Sequence, residues 1–158
     1  MKKHFQILSE SESDTKNIAK TIASVFKMGD VLVLNGDLGA GKTHFVKGFA
    51  DGISSQNVVT SPTFSIANFY KSPSTTLLHI DLYRINTLNE FYDLGLMDFF
   101  DQSVTMIEWG LKFENYVEDY LLITIEIRDN DSRLISFESK GDKHNSIIDN
   151  IENVLTQK

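Results

Sequence analysis

Apolar positions recur along this chain with two periods, close to four residues and at two residues, and the changes of period predict its elements. After Ser11, the residues Ile18, Ile22 and Phe26 recur every fourth position beside Ala19 and Ala23, which predicts an amphipathic helix. Ser11 and Asp14 have the spacing of a capping box, with Asp in place of the stronger Glu or Gln. Gly29 and Asp30 turn the chain into Val31-Leu32-Val33-Leu34, apolar throughout as in a strand covered on both faces. A glycine-rich loop comes next, then a second helix from about Lys42 to Asp51 that buries Phe45, Val46, Phe49 and Ala50.

Further strands are predicted at Phe64–Tyr70, Thr76–Asp81, Val104–Glu108, Tyr120–Arg128 and Arg133–Glu138. Thr87 and Glu90 form a capping box for a short helix that Gly95 can stop. Leu121, Ile123, Ile125 and Ile127 alternate with Leu122, Thr124, Glu126 and Arg128, the period of a half-buried strand. Asp129-Asn130-Asp131-Ser132 is a turn, so the last two strands are expected to pair as an antiparallel hairpin. Ile147, Ile148, Ile151, Val154 and Leu155 predict an amphipathic helix at about 143–156. The expected architecture is a single α/β domain over residues 1–158, a sandwich on a mixed sheet with a parallel centre and an antiparallel edge.

Composition narrows the field. With 158 residues and 41% hydrophobic content the chain can bury a core, which excludes a disordered protein. Its net charge of −7 argues against gripping nucleic-acid phosphates over a broad area by itself. The absence of cysteine excludes disulfides, thiolate metal sites and cysteine nucleophiles. No apolar run approaches the roughly 20 residues of a membrane span, and the N-terminus lacks a signal-peptide core. A soluble, cytoplasmic protein with no membrane partner is the expectation.

Gly36-Asp37-Leu38-Gly39-Ala40-Gly41-Lys42-Thr43 matches G-x-x-x-x-G-K-[ST] in full, after a buried strand and at the start of a helix. The three glycines let backbone N–H groups curl around a polyphosphate, and the helix N-terminus adds free N–H groups and the positive end of its dipole. Lys42 is placed for the β and γ oxygens and the Thr43 hydroxyl for Mg²⁺. Hydrolysis also needs a carboxylate on the metal side and a group to position water. Asp81 and Glu108 each close an apolar strand at its carboxyl end, where ligands gather in open α/β sheets. Both fit a magnesium or water-orienting role, and the competing reading for each is an exposed loop carboxylate. Ser61-Pro62-Thr63-Phe64 reads equally as a nucleotide-sensing switch, with Thr63 near metal or γ-phosphate, or as an ordinary turn. His79 reads as a packed strand residue rather than a ligand, since no second His has metal spacing. Trp109 is either a stacking surface for a base or partner, or a core aromatic.

Gly36–Thr43, Ser61-Pro62-Thr63-Phe64, His79-Ile80-Asp81-Leu82-Tyr83-Arg84 and Ile107-Glu108-Trp109 occur in an order and spacing that resembles the TsaE family, over about Ser11 to Glu138. Leu94-Gly95-Leu96, following Glu90, resembles that family's short acidic helix and glycine stop. These are bacterial ATPases of tRNA threonylcarbamoyladenosine biosynthesis. The resemblance implies ATP and Mg²⁺ as cofactors and a TsaB–TsaD pair as partner, the pair performing the transfer and contacting tRNA, which this chain would meet only indirectly. It implies that Lys42, Asp81 and Glu108 are catalytic, with Thr43, Asp81 and Glu108 on the metal side. It also implies that Gly36 to Thr43, Thr63 and Trp109 bind nucleotide, and that Arg133 lies near a hairpin bordering it. The helix after Gly141 lies outside the shared pattern.

Two rivals remain. A small-molecule P-loop kinase usually closes an arginine-bearing lid, and this chain has only Arg84, Arg128 and Arg133. A nucleotide-gated binding module would change shape with ATP and turn it over negligibly. A GTPase is disfavoured because neither N-K-x-D nor D-x-x-G occurs.

Overall fold

The structure, a computed structural model, describes residues 4–37, 39–54, 66–113 and 116–157. Helix α1, Glu12–Ile22, starts where Ser11 Oγ accepts the Asp14 N–H at 3.0 Å. Asp14 answers one residue earlier than the cap, accepting the Glu10 N–H at 2.9 Å. The four-residue apolar repeat outlasts the helix. A 3-10 turn at Ala23–Val25 ends it, and Phe26, already extended, still packs its ring 5.5 Å from that of Phe49.

Seven strands form one sheet: β1 His4–Ser9, β2 Val31–Gly36, β3 Ala67–Lys71, β4 Thr76–Asp81, β5 Val104–Glu108, β6 Tyr120–Ile127 and β7 Arg133–Lys140. Their order is β1-β7-β6-β2-β5-β4-β3. The four central strands β6, β2, β5 and β4 are parallel, and β7, β1 and β3 pair antiparallel on the flanks. The parallel centre and the β6–β7 hairpin follow the sequence expectation. The hairpin is not itself the edge, however, because β1 lies beyond it. That strand is absent from the sequence reading. Phe5 and Ile7 alternate with His4, Gln6 and Leu8, and the strand is fixed by pairing along its whole length with β7 and by Phe5 lying 6.3 Å from Phe137. The expected strand at Phe64–Tyr70 begins at Ala67, its first two positions lying outside the described residues.

The helices are α1, α2 Lys42–Gly52, α3 Leu88–Asp93 and α4 Asn145–Thr156. Thr87 caps α3 by accepting the Glu90 N–H at 3.2 Å, and Gly95 stops it at φ 69°, leading into a 3-10 segment at Leu96–Gln102. Strand periodicity sorts the core between two faces. On one face, α1, α2 and α4 cover Leu32, Leu34, Leu77, Val104, Met106 and Ile123. On the other, Leu78, Ile80 and Ile107 pack with Phe91, Phe100 and Tyr116. Gly48 lets α1 and α2 cross closely, since a Cβ there would sit 2.0 Å from the Lys16 carbonyl oxygen. This packing seats the start of α2 against the ends of β2, β4 and β5. Among the described residues no helix is long and apolar enough to cross a membrane.

Candidate nucleotide site

Period two decides which side chains reach α2. Counting along β4 from Leu77, the residues His79 and Asp81 share its face; counting along β5 from Val104 and Met106, so does Glu108. Register then aligns the strand ends, with Asp81 opposite Glu108 and His79 opposite Met106. The face is the one covered by α2, so both carboxylates come to the N-terminus of the helix that opens with Lys42 and Thr43.

The loop between β2 and α2 depends on glycine at defined places. Gly39 and Gly41 stand at φ 82° and 107°, conformations that a side chain strains. A Cβ on Gly36 would lie 2.9 Å from the Ile125 carbonyl oxygen. The Ala40 N–H bonds the Asp37 carbonyl at 3.0 Å and closes the turn. Arg133, at the start of β7, donates from Nε to the Ala40 carbonyl at 3.0 Å and from Nη2 to the Gly39 carbonyl at 3.4 Å. The loop is therefore clamped from outside through its carbonyls, which among the described residues occupies none of its N–H groups beyond that of Ala40.

The cleft measures about 450 Å³ and brings together Gly39 to Thr43, Asp81, Glu108, Trp109 and Arg133. Gly36 and Asp37 shape the loop beneath it. Leu38 and Thr63 lie outside the described residues. Lys42, although a lysine, is buried, and its Nζ sits 3.9 Å from Glu108 Oε1 and 4.7 Å from the Trp109 ring centre. Such a cation, held between a carboxylate and an aromatic face with few competing waters, is placed to meet an incoming anion. Asp81 and Glu108 are only 6% and 7% exposed, which removes the reading of either as a solvated loop carboxylate. Asp81 Oδ1 accepts the Tyr83 N–H at 2.9 Å, and the Leu82 N–H bonds the Glu108 carbonyl at 3.0 Å, tying the two strand ends together. Thr43 is exposed on the cleft wall. Trp109 stands at φ 60°, and its ring lies 5.2 Å from that of Tyr83.

Three features escaped the sequence. His79 is packed, as read, but its Nε2 lies 2.6 Å from Glu108 Oε2. Glu12 and Thr15 of α1 join His44 of α2 on the cleft wall, with His44 Nε2 3.4 Å from Glu12 Oε2. Tyr83 is the third: it stood within the motif His79-Ile80-Asp81-Leu82-Tyr83-Arg84, with no role assigned to it.

A divalent cation bound with a nucleotide needs few protein ligands, because phosphate oxygens and water complete an octahedron. Among the described residues no group of three or more His, Cys, Asp and Glu is arranged to hold a metal alone. A hydroxyl and two buried carboxylates beside a phosphate loop suit a magnesium ion that arrives with its nucleotide.

Comparison with known proteins points to one family. The family model "Threonylcarbamoyl adenosine biosynthesis protein TsaE" matches residues 9–135. The chain is similar to the tRNA threonylcarbamoyladenosine biosynthesis protein TsaE of Bacillus subtilis, 41% identical over 140 residues and covering 87% of each chain. It is also similar to the protein of the same name from Treponema pallidum, 38% identical over 122 residues, covering 77% of this chain and 89% of that protein. Among solved structures it is similar to Bacillus subtilis YdiB, with a TM-score of 0.80 at 35% identity over 97% of both chains.

Proposed function

The chain belongs to the TsaE family of tRNA threonylcarbamoyladenosine biosynthesis, and from that premise we propose that it is a partner-dependent Mg²⁺-ATPase whose cycle resets or licenses a TsaB–TsaD complex. The observation that carries the reading is the alignment of Asp81 with Glu108 beside a glycine loop whose lysine is already buried between a carboxylate and an indole.

Each residue has a task in this reading. The loop N–H groups and the α2 N-terminus bind the phosphates, and Lys42 moves onto the β and γ oxygens. Thr43 and Asp81 hold the metal side, and Glu108 orients water for in-line attack. Bound magnesium would be held by Thr43 and Asp81 and would offset the negative charge that develops on the phosphates. Trp109 packs beside the nucleotide, and Arg133 holds the loop in shape. With a net charge of −7, the chain meets tRNA through its partners, in the cytoplasm.

The test measures ADP and phosphate release with and without the TsaB–TsaD pair, for wild type and Lys42→Ala. Removing a charge-assisted contact is expected to reduce nucleotide affinity or turnover by at least about tenfold. Unchanged affinity and turnover in Lys42→Ala would sink the nucleotide assignment. Phosphate appearing on a small acceptor would indicate the kinase, and binding without stimulated release would indicate the gated module.

A further inference from the structure

His79 lies two residues before Asp81 on the same face of β4, is 2% exposed, and places Nε2 2.6 Å from Glu108 Oε2. An ionised carboxylate offers only acceptors, so the hydrogen is on Nε2 and the imidazole donates. Nδ1 has no partner among the described residues, so the contact with Glu108 is the ring's one hydrogen bond there. The other oxygen of Glu108 faces Lys42 Nζ at 3.9 Å. Glu108 is thus held from two sides by groups of unequal permanence. His79 is fixed inside the sheet, whereas Lys42 is the cation that a bound phosphate would draw away.

We infer that His79 is a positioning residue that anchors Glu108 at the end of β5, so that the carboxylate stays in place when Lys42 exchanges it for phosphate. The inference rests on Glu108 acting in hydrolysis as proposed above. Two opposite charges in a half-screened site attract more strongly as they approach. Without the imidazole, Glu108 would close the gap to Lys42, leaving the position from which it orients water. The tighter donor is on the side that does not move, and that asymmetry gives the anchor its use.

The experiment combines a crystal structure of His79→Leu with turnover and Mg²⁺-ATP affinity for His79→Leu, His79→Gln and His79→Asn. A glutamine amide reaches the place of Nε2, and an asparagine amide stops near Nδ1. In His79→Leu the Glu108 carboxylate should swing onto Lys42. Turnover with the partner pair should fall by about 10- to 100-fold, the scale of one hydrogen bond to a charged group. Nucleotide affinity should fall less than turnover does, because phosphate then competes with a closer Glu108 for Lys42 while the loop N–H groups are untouched. His79→Gln should restore most of the turnover and His79→Asn should not. Glu108 keeping its place in His79→Leu, or His79→Gln and His79→Asn failing equally, would overturn the inference. Should His79→Leu not fold, the structure of His79→Asn serves the same purpose. Full turnover in Glu108→Gln would remove the hydrolytic role of Glu108, and the position of that carboxylate in the His79 variant would still decide the anchoring.

Discussion

At the scale of single residues, Asp81 and Glu108 occupy matched register positions but have different neighbours. Asp81 takes the Tyr83 backbone N–H, while Glu108 takes His79 and faces Lys42. Under the proposed function that difference divides their tasks. In that reading Asp81→Asn removes a negative charge from the metal side, so Mg²⁺-dependent nucleotide binding and hydrolysis should weaken together. Glu108→Gln keeps the shape and loses the water-aligning charge, so ATP should still bind while turnover drops by about 10²–10⁴-fold. Titrating Mg²⁺-ATP and measuring turnover with the partner pair checks both; the opposite pattern would make Glu108 the metal-side group. Lys42, Thr43, Asp81, Glu108 and Trp109 were legible in the sequence because each sits at a fixed offset from a strand end or within the glycine loop. His79 was not, because its partner is 29 residues away and is set by the β4–β5 register. A local pattern reports which face a strand residue takes, but not which residue lies across from it.

At the scale of elements, helices whose ends carry their own caps were legible, as were central strands whose apolar runs state their burial. Thr87, Gly95 and the run Val104–Ile107 are examples. β1 was missed because its apolar pair, Phe5 and Ile7, is too short a signal alone, and its order comes from β7, which lies at the other end of the chain. The α1–α2 crossing was invisible for a related reason, since nothing local marks Gly48 as the point where a backbone comes near. That crossing can be tested. Gly48→Ala should gain about 1 kcal/mol of helix propensity. The new methyl, however, would start 2.0 Å from the Lys16 carbonyl oxygen, a backbone atom that moves only if the helices separate. Overpacking of this kind typically costs about 1–3 kcal/mol and here meets backbone rather than a yielding side chain, so the clash should win. A melting temperature lowered by about 2–10 °C is the expected reading, and one raised by the substitution would show that the helices part at little cost.

For the whole molecule, stability depends on how α4 is tied back to the sheet, and the tie contains a titratable group. His144, fully buried just before α4, accepts the Val31 N–H on Nε2 at 3.4 Å, where Asp30 Oδ1 also lies 3.7 Å away. Nε2 cannot accept from Val31 and donate to Asp30 at once. Burial lowers the imidazole's pKa below its ordinary value of 6.5; Lys143 lowers it further, and Asp30 and Asp119 oppose the shift only in part. The native imidazole is therefore neutral, and Nε2 is the acceptor because the Val31 N–H, unlike Asp30, lies within hydrogen-bond distance of it. The sign of the pH effect follows from this. Below 6.5 the unfolded chain takes up a proton that the folded chain still refuses, so stability is complete above that pH and falls as pH falls toward the lowered native pKa. Melting curves of the wild type should therefore move down between pH 7.5 and 5.5. His144→Leu leaves the Val31 N–H without an acceptor, and it should start less stable at pH 7.5 yet lose less on acidification. Taking the difference between the two proteins at each pH cancels whatever is common to both. If the difference stays constant across the range, the acid sensitivity lies elsewhere; if it shrinks with falling pH, the sensitivity lies at His144, where the last helix is tied to the sheet.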